Sequence, residues 1–145
     1  MSDATADWLA VVARLDAYGW SLDDRDWPAL AACFTADCEA DYGETLGVHR
    51  GADAVAALCR RVLEPLDASQ HLITGHQITF TGGAATTRCR VVAQHVRRAA
   101  PGGPTYTIGG TYRAALVRAD GTWRIRRFAL EMVWQEGNLR VVEDA

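Results

Sequence analysis

The sequence contains no apolar run approaching the length of a membrane span and no block of basic residues. The first absence argues against a membrane-spanning helix, which needs about 20 mostly apolar residues. The second argues against nucleic acid as a partner, because phosphates are neutralised by clustered Lys and Arg. Here 15 basic residues stand against 18 acidic ones, a net charge of −3, and the arginines are scattered apart from pairs such as Arg60-Arg61, Arg97-Arg98 and Arg126-Arg127. The first twenty residues hold Asp3, Asp7, Arg14 and Asp16. A secretory signal has a basic start followed by an uninterrupted apolar stretch, so the expected compartment is the cytoplasm. The four cysteines, Cys33, Cys38, Cys59 and Cys89, form no C-x-x-C pair, and no histidine lies at zinc-finger spacing from them. They are expected to be free thiols, buried or half-buried, since a cytosolic chain of this size needs no disulfide. Gly82-Gly83 and Gly102-Gly103 read as turns and not as a phosphate-binding loop, so neither cofactor nor metal is expected.

What is present is a 145-residue chain with 49% apolar and 23% charged residues, an ordinary globular composition in one domain, 1–145. No internal repeat, low-complexity segment or linker divides it. Trp8, Val11, Val12, Leu15, Tyr18, Gly19 and Leu22 recur at helical spacing and predict a helix over about 5–22. Asp26 is a candidate N-cap for a second helix with Pro28 in its first turn, continued by Leu30, Ala31 and Phe34. Cys38 to Tyr42 reads as a short strand ended by Gly43, and Gly51 to Leu63 as a third helix stopped by Pro65. The period then changes from 3.6 to 2, giving strands at about 70–80, 85–98, 105–118 and 122–135. Thr79 to Ala84 is a turn, Pro101-Gly102-Gly103-Pro104 a longer loop, and Ala119-Asp120-Gly121-Thr122 a tight hairpin. Helices followed by an antiparallel meander predict an α+β fold, a cone of strongly curved sheet closed by three helices, with a cavity for a small apolar ligand.

Asp23 and His71 are the leading candidates for chemistry. A carboxylate that orients an imidazole makes a general base that works near neutral pH. His71 could instead be a strand-opening histidine satisfied by backbone. Asp23 lies in Asp23-Asp24-Arg25-Asp26, a polar turn rich in capping residues; Asp24 or Asp26 could cap while Asp23 turns inward. His95 shares a strand face with Cys89, Val91 and Ala93, where a polar group needs a partner or a ligand; it is a catalytic acid or a satisfied core histidine. Tyr42 is a candidate hydroxyl donor to a substrate oxygen, or a packed ring with an exposed hydroxyl. Arg126 and Arg127 are adjacent in a strand, so one should face in. Arg127 could hold an anionic group, or pair with Asp41 or Glu131. Trp20, Phe34, Phe80, Tyr112, Trp123, Phe128 and Trp134 are core by default; Trp20, Phe34, Tyr112, Trp134 and Cys89 are candidates for the cavity lining. His49 and His76 read as surface or edge positions. His71 and His76, five apart, should point to opposite strand faces, which disfavours a two-histidine metal site.

Arg25-Asp26-Trp27, Asp41-Tyr42-Gly43, Ser69-Gln70-His71, Ile108-Gly109-Gly110-Thr111-Tyr112 and Asp120-Gly121-Thr122-Trp123-Arg124 fall in the order seen in the SnoaL-like branch of the nuclear transport factor 2-like superfamily, which the chain resembles over nearly its whole length. The last two segments are similar to those of hexachlorocyclohexane dehydrochlorinases. Leu22-Asp23-Asp24-Arg25-Asp26-Trp27, Asp41-Tyr42, Gln70-His71 and Gln94-His95 look like scytalone dehydratases. The resemblance implies a cystatin-like cone and a proton-abstracting Asp–His pair at Asp23 and His71. It places Tyr42 and His95 at the dehydratase's further catalytic positions and Arg127 at the dehydrochlorinase's arginine. The dehydratase has a tyrosine directly before its aspartate; here that residue is Leu22, and Tyr18 stands one turn earlier.

The expected activity is a cofactor-independent lyase of dehydratase type, acting on a small oxygenated apolar molecule of polyketide, aromatic or steroid-like character. A second reading is an isomerase or cyclase in the same pocket, since Tyr18 and Asp41 fall near the acid and base positions of ketosteroid isomerases. A third is a non-catalytic domain resembling the small subunits of ring-hydroxylating oxygenases. Homodimers or homotrimers are expected from the resemblance.

Overall fold

The computed structural model describes residues 3–143. The chain begins with a long helix, α1 (Ala4–Asp23), whose N-terminus is capped by Asp3, the carboxylate accepting from the Thr5 N–H at 2.9 Å. Val11, Leu15, Tyr18 and Leu22, spaced four, three and four apart, are its buried stripe. A short helix, α2 (Trp27–Ala32), follows, with Asp26 accepting from the Ala29 N–H at 3.1 Å and Pro28 in its first turn. Then come β1 (Phe34–Asp41), a single turn α3 (Gly43–Leu46), β2 (Val48–Arg50) and the amphipathic α4 (Ala52–Leu63), which buries Val55, Leu58, Cys59 and Leu63. The meander is β3 (Ala68–Thr81), β4 (Ala84–Val96), β5 (Thr105–Ala119) and β6 (Thr122–Gly137), and a terminal turn of helix, α5 (Arg140–Glu143), closes the described chain.

The six strands form one sheet in the order β2-β1-β6-β5-β4-β3. All pairings are antiparallel except β1 with β6, which run parallel. The hairpin between β5 and β6 turns on Asp120 and Gly121, both at positive φ (54° and 74°), as a tight two-residue turn requires. Bulges interrupt the register at Thr74/Gln77 in β3, at Gly109/Gly110 and Ala115/Leu116 between β5 and β6, and at Phe34/Glu39 in β1. Each adds local twist, and together they curl the sheet around α1, α2 and α4. This is the expected α+β cone, curled and not closed into a barrel.

Several expectations need correction. Phe34 does not continue the second helix; it opens β1, which is eight residues long where a five-residue strand was expected. Gly43 starts a helical turn, and β2 and α5 are further elements. The bulge in β3 changes the parity of that strand, so His76 lies on the same half-buried face as His71 and not opposite it. His49 is likewise half-buried, its Nε2 2.7 Å from the Leu46 carbonyl. The extra residue in β6 opposite Ala115/Leu116 turns both Arg126 and Arg127 outward; neither faces in. All four cysteines are buried free thiols.

The outer face of the sheet carries an apolar row in register: Leu72 pairs with Val92, Val92 with Gly109, and Gly109 with Trp134. The Trp134 indole lies directly over Gly109, where an added Cβ would come within 2.0 Å of the ring. Gly110, at the adjacent bulge, is more tightly constrained: an added Cβ would meet the backbone oxygen of Glu131 at 2.6 Å. We expect Gly110→Ala to lower stability by about 1–3 kcal/mol, as overpacking against backbone does. Urea unfolding checks this, and an unchanged midpoint would show that the bulge can widen freely.

Candidate active site

The last turn of α1 lies against β3 because Gly19 has no side chain. A Cβ there would sit 2.8 Å from Ile73 Cδ1 and 3.8 Å from His71 Cβ. Asp23 is four residues further on, one turn along the same helix face, and this brings its carboxylate over His71. Oδ1 lies 2.7 Å from His71 Nδ1, Oδ2 accepts from the His71 backbone N–H at 2.8 Å, and Ser69 Oγ donates to Oδ1 at 3.0 Å. The side chains of His71 and Asp23 retain only 5% and 15% of their exposure. Burial pushes the Asp23 carboxyl upward, but the hydrogen bonds from His71 and Ser69 outweigh it and hold the group below its ordinary range. Asp23 is therefore an ionised acceptor, His71 Nδ1–H donates to it, and among the described residues His71 Nε2 has no hydrogen-bond partner.

His95 stands beside this pair. In the β3–β4 register it is opposite Ser69, and its ring is 5.9 Å from that of His71 at 84°. Its Nδ1 is 3.0 Å from the Tyr106 carbonyl oxygen, which can only accept, so Nδ1 bears the proton and Nε2 the lone pair. Burial, followed by the neighbouring His71, lowers the His95 pKa to about 4. At neutral pH it is an uncharged acceptor and not an acid.

Deeper between α1, β1, β5 and β6 the interior is aromatic. Tyr18, Phe34, Tyr42, Tyr112 and Phe128 pack with ring centroids 4.7–6.2 Å apart. The Tyr18 and Tyr42 hydroxyls are 2.8 Å apart, and Tyr42 Oη is 3.6 Å from Cys59 Sγ. Burial raises all three tyrosines well above their ordinary pKa, so each remains a neutral phenol. The space beside the dyad is a cleft of about 710 Å³ along the edge strand β3, with Asp16, Trp20, Asp23, His71, Ile73 and Gln94 among its lining. The dyad thus borders an open cleft, and the expected closed apolar cavity is occupied at its centre by packed rings.

The SnoaL-like domain model matches residues 3–129. The chain belongs to the SnoaL-like family. Solved structures agree. A protein provisionally named scytalone dehydratase from Novosphingobium aromaticivorans is 26% identical, with 91% of this chain and 87% of that one covered and a TM-score of 0.82. A provisional aromatic ring hydroxylase from the same organism is 23% identical over 98% and 100%, with a TM-score of 0.86. A type 2 hexachlorocyclohexane dehydrochlorinase is 20% identical over 91% and 88%, with a TM-score of 0.82. At those identities the last two show the fold alone. No curated protein matches the chain.

Within this SnoaL-like domain the expected site residues separate into groups. Asp23, His71 and His95 come together, and Asp26 caps α2, which leaves Asp23 free to turn inward. Trp20 is on the cleft but 69% exposed, so it is not a core residue. Tyr18, Phe34, Tyr42 and Tyr112 belong to the aromatic interior, as does Cys89, whose thiol is pushed up to about 12 by burial and then by Asp16. Three candidates lie elsewhere. Asp41 is exposed and accepts from the Gly43 N–H at 2.9 Å, Arg127 is exposed on the outer sheet face, and Trp134 covers Gly109 on that same face. The site also uses Ser69 and Gly19, to which no role had been given. Ser69 could have been found from its position two residues before His71, on the same strand face. Among the described residues no group of three or more His, Cys, Asp or Glu is placed to hold a metal, and no helix is long and apolar enough to cross a membrane.

His95 gives a pH dependence of stability. Its pKa falls from 6.5 in the unfolded chain to about 4 in the fold. The unfolded state binds more protons between these values, so the stabilisation is complete above about 6.5 and is lost as pH falls toward 4. Urea midpoints of the wild type should fall across that window more steeply than those of His95→Gln. Parallel curves would mean that His95 does not titrate this way.

Proposed function

We propose that the protein is a lyase of dehydratase type in which His71 is the base and Asp23 its partner. The observation that carries this reading is the 2.7 Å contact of Asp23 Oδ1 with His71 Nδ1 on the wall of a cleft, with His71 Nε2 unpartnered among the described residues. A base needs a lone pair that reaches the substrate and a partner that stabilises the charge it acquires. Nε2 supplies the first and the Asp23 carboxylate the second. In the proposed reaction Nε2 takes a proton from carbon next to a carbonyl. The C–H electron pair becomes the new C=C bond as the neighbouring C–O bond breaks. The imidazolium then returns its proton to the departing hydroxide, so water leaves and the base is restored. Nothing in this sequence of steps requires an added redox or group-transfer reagent.

His95 shapes the choice of substrate. With Nδ1–H engaged by Tyr106 and the ring uncharged, its Nε2 accepts a hydrogen bond. His95 is not on the cleft wall, but its ring is 5.9 Å from that of His71, so it suits a hydroxyl of a substrate that reaches inward past His71. The cleft's Trp20 and Ile73 suit an apolar or aromatic skeleton. The substrate class proposed is therefore a small β-hydroxy carbonyl compound on an apolar or aromatic frame.

The test is a panel of such compounds, with loss of water followed by mass spectrometry and hydrogen exchange at the acidic carbon followed in deuterium oxide. His71→Ala should lower turnover by about 10²–10⁴-fold, the usual contribution of a positioned general base. Asp41→Asn and Arg127→Ala should stay within about twofold of wild type, since both groups are exposed and away from the cleft. Activity that survives His71→Ala but is abolished by Asp41→Asn would instead favour an isomerase with Asp41 as its base. No turnover of any compound by any variant, wild type included, would leave a binding role, and equal turnover in all of them would place the base elsewhere.

A further inference from the structure

Arg25 has a backbone conformation that is costly for an L-residue. It follows the C-terminal residues of α1 at φ 57°, in the left-handed region where glycine is the usual occupant. Its side chain folds back under the helix end. Nη1 donates to the Leu22 carbonyl at 2.7 Å and to Ser69 Oγ at 2.8 Å. A guanidinium has no acceptor, so Ser69 Oγ must accept from Arg25, and its own proton then points to Asp23 Oδ1, 3.0 Å away. The hydrogen bonds have one consistent direction, from Arg25 through Ser69 to Asp23, where they meet the bonds from His71.

The electrostatics around Asp23 give this chain of bonds a purpose. Asp23 is the last residue of α1, where the helix dipole disfavours negative charge, and the last turn of α1 contains no basic residue. The titratable groups that bear on Asp23 are His71 from β3, Arg25 from the turn, and at longer range His95 from β4 and Tyr112 from β5. Of these, only Arg25 is a permanent cation. Glu64 also acts on Arg25, but is itself paired with Arg60 at 2.7 Å and accepts from Trp27 Nε1 at 2.9 Å.

We propose that Arg25, acting through Ser69, is a positioning residue that holds the Asp23 carboxylate in the plane and charge state the dyad needs. Its catalytic meaning rests on the lyase reading above; the hydrogen-bonded relay does not. A guanidinium behind Ser69 fixes the hydroxyl rotor, and the fixed rotor leaves Oδ1 directed at His71 Nδ1 and Oδ2 at the His71 N–H.

The test follows the Asp23 side-chain carboxyl by carbon NMR against pH in the ligand-free full chain, in wild type, Arg25→Gly, Arg25→Lys and Ser69→Ala. Arg25→Gly should fold well, because glycine takes the left-handed position without strain. If Arg25 only ends the helix, glycine should serve as well or better. The expected result is a proton affinity at Asp23 at least about threefold higher in Arg25→Gly and in Ser69→Ala, half a pH unit, with Arg25→Lys recovering at least half of that shift. Where turnover is measured, kcat should fall about tenfold or more in the first two variants, with KM within about threefold, as displacement of a base partner does. An Asp23 midpoint unchanged in both Arg25→Gly and Ser69→Ala overturns the proposal whatever the activity. A shift in Arg25→Gly without one in Ser69→Ala overturns the route through Ser69. Shifts in both, with no turnover of any substrate, support the relay and count against the lyase reading alone.

Discussion

The carboxylate of Asp23 joins the end of α1 to the start of β3, and the geometry of the site depends on that joint. A buried carboxylate is costly unless donors replace the water it loses. Here three donors do so, the Ser69 hydroxyl, the His71 ring and the His71 backbone N–H. Two of them belong to one residue, and this bidentate hold constrains both the position and the rotation of the imidazole. Helix, strand and ring are therefore fixed together. The joint can form because Gly19 lets the helix approach the strand one turn earlier.

α1 serves two environments on neighbouring sides. Tyr18 points into a cluster of five rings that fills the centre of the cone, whereas Gly19 and Asp23 lie over β3. The cluster contributes the rigidity against which α1 is set, and its phenols satisfy one another and Cys59 without titrating at ordinary pH. The polar chemistry is displaced toward the edge of the sheet. This separation explains how a domain of this size keeps a packed core and a cleft that reaches a reactive histidine.

Most of the architecture was legible in the sequence. The stripe of Val11, Leu15, Tyr18 and Leu22, the Asp26 cap with Pro28, and the Asp120-Gly121 turn are local signals with local causes, and each forms as expected. What local reading misplaced depended on register. Alternation predicts that five residues along a strand reverses the face and that adjacent arginines split between faces. The bulges in β3 and between β5 and β6 cancel that parity, so His76 joins His71 and both Arg126 and Arg127 face out. Trp134 was misassigned to the core because an indole can cover a glycine on an exposed face as readily as it fills an interior. At the site, Asp23 and His71 were identifiable from residue type and motif. Ser69 could be read from its place two residues before His71; Arg25 could not, because an arginine in a turn gains meaning only from a partner 44 positions along the chain.

β3 is the outermost strand on its side of the sheet. An exposed edge of this kind offers unpaired N–H and C=O groups to any other extended chain, and proteins that leave it bare risk uncontrolled association. The His71 N–H is one such group, since it turns away from β4, and Asp23 Oδ2 occupies it. With the end of α1 seated there, an incoming strand would meet a charged carboxylate where it needs a free donor. The bulge at Thr74/Gln77 breaks the regular repeat a little further along. The contact that orients the imidazole thus also closes one backbone donor of the sheet margin to an incoming strand.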